Sequence, residues 1–260
     1  MSLTNTKNFE LSLTNTYMLN DRMRHLEFKL LTNKSLNYIP GQFISLLIEK
    51  NSEIIRRNFS IANAPNNTKL EIAATFVPNG IASTTLWNMK VGDHINASGP
   101  FGIFVLKPEE FIGIKRCILV ATGTGVTPYR AMLGSIKKIL SNQTIEFILL
   151  LGVRNFNELL YAEDFIQFAD LNPNFKFIAC YSREKPNNTS TVINYNNKIR
   201  PTQECFGYVQ NQLNKLNINP HNDLIYLCGN PNMVDESLSI LESYSMPRNR
   251  IKREKYISSK

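Results

Sequence analysis

The sequence predicts two domains, an antiparallel β-barrel followed by an α/β domain built on a parallel sheet. Three observations carry this. Before residue 107, short alternating stretches such as 43–48 and 70–77 are broken by Asn, Pro and Gly turns, the pattern of antiparallel barrel strands. After Lys107-Pro108-Glu109-Glu110, longer apolar runs alternate with helical segments, as in a parallel sheet covered on both faces. Between them, residues 117–133 read as strand, glycine turn and helix. The expected domains are 1–108 and 109–260, an ordinary split for 260 residues of 43% hydrophobic content.

In the first half, Arg57-Asn58-Phe59-Ser60 joins a permanent cation, an aromatic ring and a hydroxyl in one alternating stretch. In a strand Arg57 and Phe59 share one face, and Asn58 and Ser60 the other. The planar fork of an arginine suits a diphosphate, Phe59 can stack on a ring and Ser60 can hydrogen-bond a ring nitrogen. An ordinary barrel strand also accounts for this tetrapeptide. In the second half, Thr122-Gly123-Thr124-Gly125-Val126-Thr127-Pro128 lets the backbone turn sharply, with Pro128 in the first helical turn where a missing N–H does no harm. Such a helix start aims free N–H groups at a pyrophosphate, although a plain strand-to-helix turn has the same signature.

The remaining apolar runs, 145–151, 175–181 and 224–228, predict parallel strands, with helices over 157–169 and 232–241 and a long Asn-rich surface loop over 186–197. Arg154, Ser182 and Arg183 each follow such a run, at the carboxyl ends where ligands bind in open α/β sheets. Cations and a hydroxyl there suit an adenosine 2′-phosphate. The alternative is that Arg183 pairs with Glu184 or another surface acid.

The formal charge is +8, with the positive residues spread through both halves and no nucleic-acid motif. No apolar run reaches membrane-spanning length and the first residues lack a signal-peptide core, which predicts a cytoplasmic protein, expected to be a monomer. Cys117, Cys180, Cys205 and Cys228 are far apart in sequence and form neither a disulfide framework nor a metal-ligand cluster. No metal is expected. Iron–sulfur spacing is absent too, so a one-electron partner must be another protein.

From about Phe9 onward the chain resembles the ferredoxin-NADP reductase family, in its bacterial ferredoxin/flavodoxin form. Residues 57–60 are similar to the family's flavin motif, Pro40-Gly41-Gln42-Phe43 to the strand start before it, 80–86 to the diphosphate segment and Gly99-Pro100-Phe101-Gly102 to the turn closing the flavin domain. Residues 122–128, 151–154, 158–161, 182–184 and 228–234 resemble the nicotinamide dinucleotide segments in the family's order. The resemblance implies FAD on Arg57, Asn58, Phe59, Ser60, Val77, Gly80, Ser83 and Thr84. It implies NADPH on Thr124, Gly125, Pro128, Arg154, Ser182, Arg183, Gly229 and Met233.

The same resemblance implies electron exchange with an acidic ferredoxin or flavodoxin, steered by the positive charge. Ser60 would then meet flavin N5, Cys228 would sit beside the nicotinamide reaction carbon, Glu254 would polarise the serine and Tyr256 would cover the flavin. Read without the family, Cys228 is a small buried hydrophobe and Glu254 a solvated charge. The tail at 257–260 departs from plant-type members, which end at the tyrosine. Two other readings stay open: an NAD(P)H-flavin reductase releasing reduced free flavin, and a non-catalytic flavin-binding adaptor.

Overall fold

The computed structural model describes residues 7–31, 36–66, 68–186 and 201–256. The tail at 257–260 and all but Pro186 of the expected loop lie outside them. Residues up to Leu106 together with Thr127–Gly134 form one compact unit, and Lys107–Val126 with the described residues from Ser135 onward form the second.

The first unit contains β1 (Lys7–Asn20), β2 (Met23–Leu30), β3 (Phe43–Lys50), β4 (Glu53–Ser60), β5 (Lys69–Thr75), α1 (Ile81–Asn88) and β6 (His94–Phe101). They form one antiparallel sheet in the order β4-β3-β6-β1-β2-β5. The Ala62 N–H, just past β4, donates to Glu71 O in β5 at 2.7 Å and joins the two edges. Alternation decides which side chains enter the barrel: Ile44, Leu46 and Ile48 are buried in β3, and Leu11 and Leu13 in β1. Asn51 and Ser52, both left-handed, make the two-residue turn that fixes the β3–β4 register. The expected strand over 70–77 ends earlier, at Thr75, because Val77 turns back to accept the Gly80 N–H at 2.9 Å.

Arg24 fixes the far end of α1. Its guanidinium donates to the carbonyls of Leu86, Trp87 (2.9 Å) and Met89 (3.0 Å), the last carbonyls that an α-helix leaves unsatisfied. Beside it, His25 is buried against the Tyr17 ring, with Nε2 3.5 Å from Glu71 and 3.8 Å from Glu27. Lys69 neutralises both carboxylates, and Arg130 pairs with Glu71 as well. Burial, helped by the charges of Arg130 and Lys69, pushes the imidazole below its ordinary 6.5 against the two acids. The unfolded chain therefore binds a proton that the native state refuses as pH falls below 6.5, and stability declines from that point down to the depressed native value. Thermal denaturation in buffers on either side of 6.5 should show this slope, and His25→Asn should flatten it. An equal slope in the variant would show that other groups set it.

The second unit contains β7 (Arg116–Thr122), β8 (Glu146–Val153), β9 (Phe175–Tyr181), β10 (Gln203–Phe206), β11 (Asp223–Gly229) and β12 (Ile251–Lys255). All pair in parallel, in the order β10-β9-β8-β7-β11-β12. Its helices are α3 (Ala162–Leu171), α4 (Pro231–Ser243) and the second half of α2 (Thr127–Asn142), whose first half belongs to the first unit. One face of the sheet carries Ile118, Ile148, Cys180 and Ile225 against Val234 and Leu241 of α4. On the other, Phe165 of α3 packs on Phe177. The antiparallel and parallel sheets are those the sequence predicts.

Two local readings change. The helix expected over 157–169 begins only at Ala162, because the buried Tyr161 takes a left-handed φ of 55° and separates it from a short 3-10 turn over Phe156–Glu158. Two of the dispersed cysteines, Cys180 and Cys205, are direct partners on adjacent strands.

At the amino ends of β7 and β11, Arg116 and Asp223 are also register partners. The guanidinium donates to both carboxylate oxygens, at 3.0 and 2.6 Å, and to the carbonyls of Leu216 and Asn217. Asp223 is 2% exposed and also accepts the Asn219 N–H at 2.7 Å.

Candidate functional site

On the barrel, β4 leaves Arg57 and Phe59 half-buried, Asn58 exposed and Ser60 buried. Arg57 donates to Arg56 O at 2.9 Å, which holds the fork close to the strand, while Phe59 packs partly on the barrel core. Ser60 ends β4 opposite Phe43. Past β5, Ser83 Oγ lies 2.6 Å from Val77 O and 2.9 Å from Gly80 O, pinning the turn that starts α1. A Cβ on Gly80 would come within 2.9 Å of that hydroxyl. The exposed Thr84 donates its N–H to Gly80 O, so the amides before it in α1 lack an intrahelical acceptor. A cation on β4 and unfilled amides at a glycine-started helix are a donor set that fits a diphosphate.

The turn after β7 is a 3-10 turn over Gly123–Val126 that includes Thr124, and α2 follows directly with Pro128 in its first turn. A Cβ on Gly125 would lie 2.3 Å from Cys228 O, and one on Gly229 2.6 Å from Thr122 Oγ1. Gly229 also has a φ of 131°, which glycine alone adopts without strain. The Thr122 hydroxyl accepts the Asn230 N–H at 2.9 Å, so the loops after β7 and β11 interlock at atomic contact. No side chain caps α2, and the Thr127 hydroxyl at its start is 2% exposed and unpartnered. A buried donor at an uncapped helix start calls for an anionic acceptor. Sequence reading missed Thr127 as a separate contributor, although a hydroxyl directly before Pro128 was its signal. Met233 is buried beside the core of the sheet and accepts a weak hydrogen bond from Ser237.

At the carboxyl ends of β8 and β9, backbone hydrogen bonds bring the expected phosphate group together. The Ser182 N–H donates to Val153 O and the Arg183 N–H to Arg154 O, both at 2.9 Å. Arg183 is exposed, and among the described residues no acid pairs with its side chain. Glu184, the partner weighed for it, accepts the Phe156 N–H instead. Arg154 is loosely paired with Glu158 at 3.8 Å.

Cys228 is fully buried on β11, in register with Glu254 of β12. Burial, reinforced by the Glu254 charge, pushes its thiol well above the ordinary range against an opposing hydrogen bond from Tyr256. The thiol is therefore held neutral. The Tyr256 N–H donates to Gly229 O at 2.8 Å, so the chain after β12 stays attached to the loop after β11. Sequence reading expected Tyr256 over the flavin and missed its hydrogen bond to Cys228.

These features define a two-domain flavin- and nicotinamide-dependent oxidoreductase. A family profile for oxidoreductase FAD-binding domains matches residues 10–106, and one for oxidoreductase NAD-binding domains matches 119–238. The chain is 30% identical over 246 residues to the flavodoxin/ferredoxin–NADP reductase of Buchnera aphidicola subsp. Schizaphis graminum, covering 87% of this chain and 88% of that one. It is 26% identical over 253 residues to the toluate 1,2-dioxygenase electron transfer component of Pseudomonas putida, covering 96% of this chain and 68% of that protein. In fold it is similar to a ferredoxin NADP+ reductase from Neisseria gonorrhoeae with bound FAD and NADP, at a TM-score of 0.77 and 19% identity over 97% of this chain and 99% of that one. The chain belongs to the ferredoxin-NADP reductase family.

Proposed function

We propose that this protein holds FAD on its barrel unit and transfers electrons between NADPH and an acidic ferredoxin or flavodoxin, as a cytoplasmic monomer. The observation that carries the cofactor choice is the joining of Arg154, Ser182 and Arg183 by backbone hydrogen bonds at two strand ends. Two cations and a hydroxyl there complement a 2′-phosphate, and no acid among these three favours an unphosphorylated ribose. FAD, when bound, supplies two-electron exchange with a nicotinamide and one-electron exchange with a protein partner.

The chain's own groups then have distinct tasks. Arg57, the Gly80 turn and the first amides of α1 hold the diphosphate, with Ser83 keeping that turn in shape and Asn58, Phe59, Val77 and Thr84 flanking it. Thr124, Gly125, Pro128 and Gly229 shape the dinucleotide turn. Ser60 hydrogen-bonds the flavin ring, the neutral Cys228 sits beside the nicotinamide reaction carbon, and Glu254 and Tyr256 set the polarity around it. The formal +8 draws an acidic partner by long-range attraction that salt weakens.

Arg183→Ala should weaken NADPH use about ten- to a hundredfold, the loss of one charge-assisted contact of about 1.5–3 kcal/mol. NADH use should stay nearly untouched. Anaerobic reduction of the flavoprotein by each nucleotide, followed by absorbance, measures both. Equal losses would make Arg183 structural, and reduced flavin appearing free in solution would favour the flavin-reductase reading.

A further inference from the structure

Cys180 lies on β9 and Cys205 on the edge strand β10, and the two are direct register partners in a parallel pair. Partners in such a pair point to the same face, and both cysteines pack into the same core cluster, where each thiol acts on the acidity of the other. Cys180 is fully buried in the core on that face, while Cys205 is half-buried. Gln203 Nε2 donates to Cys205 Sγ at 3.6 Å, and the Lys215 ammonium adds a positive field. The two thiols are thus unequal: Cys180 is buried, and Cys205 is more accessible and gathers three groups that favour a thiolate. With the neighbouring Cys180 thiol as the largest cause, Cys205 is pulled down from 9.0 to about 6 and Cys180 is pushed up. The other two cysteines, Cys117 and Cys228, are fully buried and held neutral.

We propose that Cys205 and Cys180 form a peroxide-responsive dithiol, with Cys205 as the attacked thiolate and Cys180 as the resolving thiol. Cys205 sulfur attacks a hydroperoxide, an S–O bond forms as the O–O bond breaks, and the displaced oxygen leaves as an alcohol or water with a proton from solvent. Cys180 sulfur then attacks Cys205 sulfur. An S–S bond forms, the S–OH bond breaks, and hydroxide leaves as water with the Cys180 proton. The two thiols lose two electrons in total, and the hydroperoxide gains them. Neither step draws on the flavin or nicotinamide. The product ties the edge strand of the sheet covalently to its neighbour.

The test is brief exposure of the intact flavoprotein to hydrogen peroxide, alkylation in denaturant and peptide mass mapping. The expected result is a Cys180–Cys205 cross-linked peptide lighter by two hydrogens, with Cys117 and Cys228 alkylated as in the untreated protein. Cys180→Ala should leave Cys205 as a sulfenic acid trapped by dimedone, and Cys205→Ser should leave Cys180 reduced. In the untreated protein, alkylation of Cys205 by iodoacetamide should reach half its maximal rate near pH 6, moving toward 9.0 in Cys180→Ala. Full alkylation of Cys180 and Cys205 after peroxide, or a Cys205 half-point near 9.0 in the unaltered chain, would overturn the proposal.

Discussion

Arg116→Ala is expected to be among the most destabilising single substitutions in this chain. It removes the guanidinium that satisfies both oxygens of the buried Asp223 and two carbonyls, and it leaves the carboxylate with only the Asn219 N–H among these partners. Breaking a buried pair by deleting one partner costs about 3–5 kcal/mol, because the remaining charge stays buried without compensation. For a chain of this size the melting temperature should fall by roughly 6–20 °C. Asp223→Asn in the same background should recover part of the loss by removing the stranded charge. Calorimetry on the two variants decides it, and a loss below about 1 kcal/mol would class the pair with surface ion pairs.

Arg57→Ala is the substitution with the largest expected effect on the proposed flavin site. It deletes the only cation in the 57–60 motif, and with it charge-assisted hydrogen bonds of about 1.5–3 kcal/mol. FAD should dissociate about ten- to a hundredfold more readily. The barrel itself should stay folded, since among the described residues the Arg57 side chain donates only to a neighbouring carbonyl and lies outside the core. Equilibrium dialysis against FAD, with circular dichroism as the check on folding, measures the two effects separately. Unchanged affinity would move the diphosphate away from β4.

Much of this architecture can be read from local chemistry. The alternation in β3 and the continuous apolar runs of β7 and β8 record burial on one face and on two faces, which is what separates antiparallel from parallel sheets. The strand, glycine turn and helix at 117–133 are legible because a close backbone approach excludes a Cβ, and the 2.3 Å separation at Gly125 shows how close it is. Relations between distant segments were not legible. β10 is four residues long with mostly exposed or half-buried side chains, so it carries no apolar run, and its pairing with β9 sets Cys205 beside Cys180. Tyr161 interrupts a helical pattern through a left-handed backbone angle that its residue type does not announce. The hydroxyl of Thr127 before Pro128 can be read from the sequence, but its burial and missing partner appear only in the fold.

The strands β7 and β11 carry the Arg116–Asp223 pair at one end and the interlocked glycine loops at the other. Each strand is seven residues long, so about 20 Å separates the two ends. Changes that far apart with no shared partner have additive effects on stability. Substitution of the half-buried Thr124 in the proposed dinucleotide turn should therefore leave the stability set by the Arg116 anchor unchanged, and loss of that anchor should leave the shape of the turn intact.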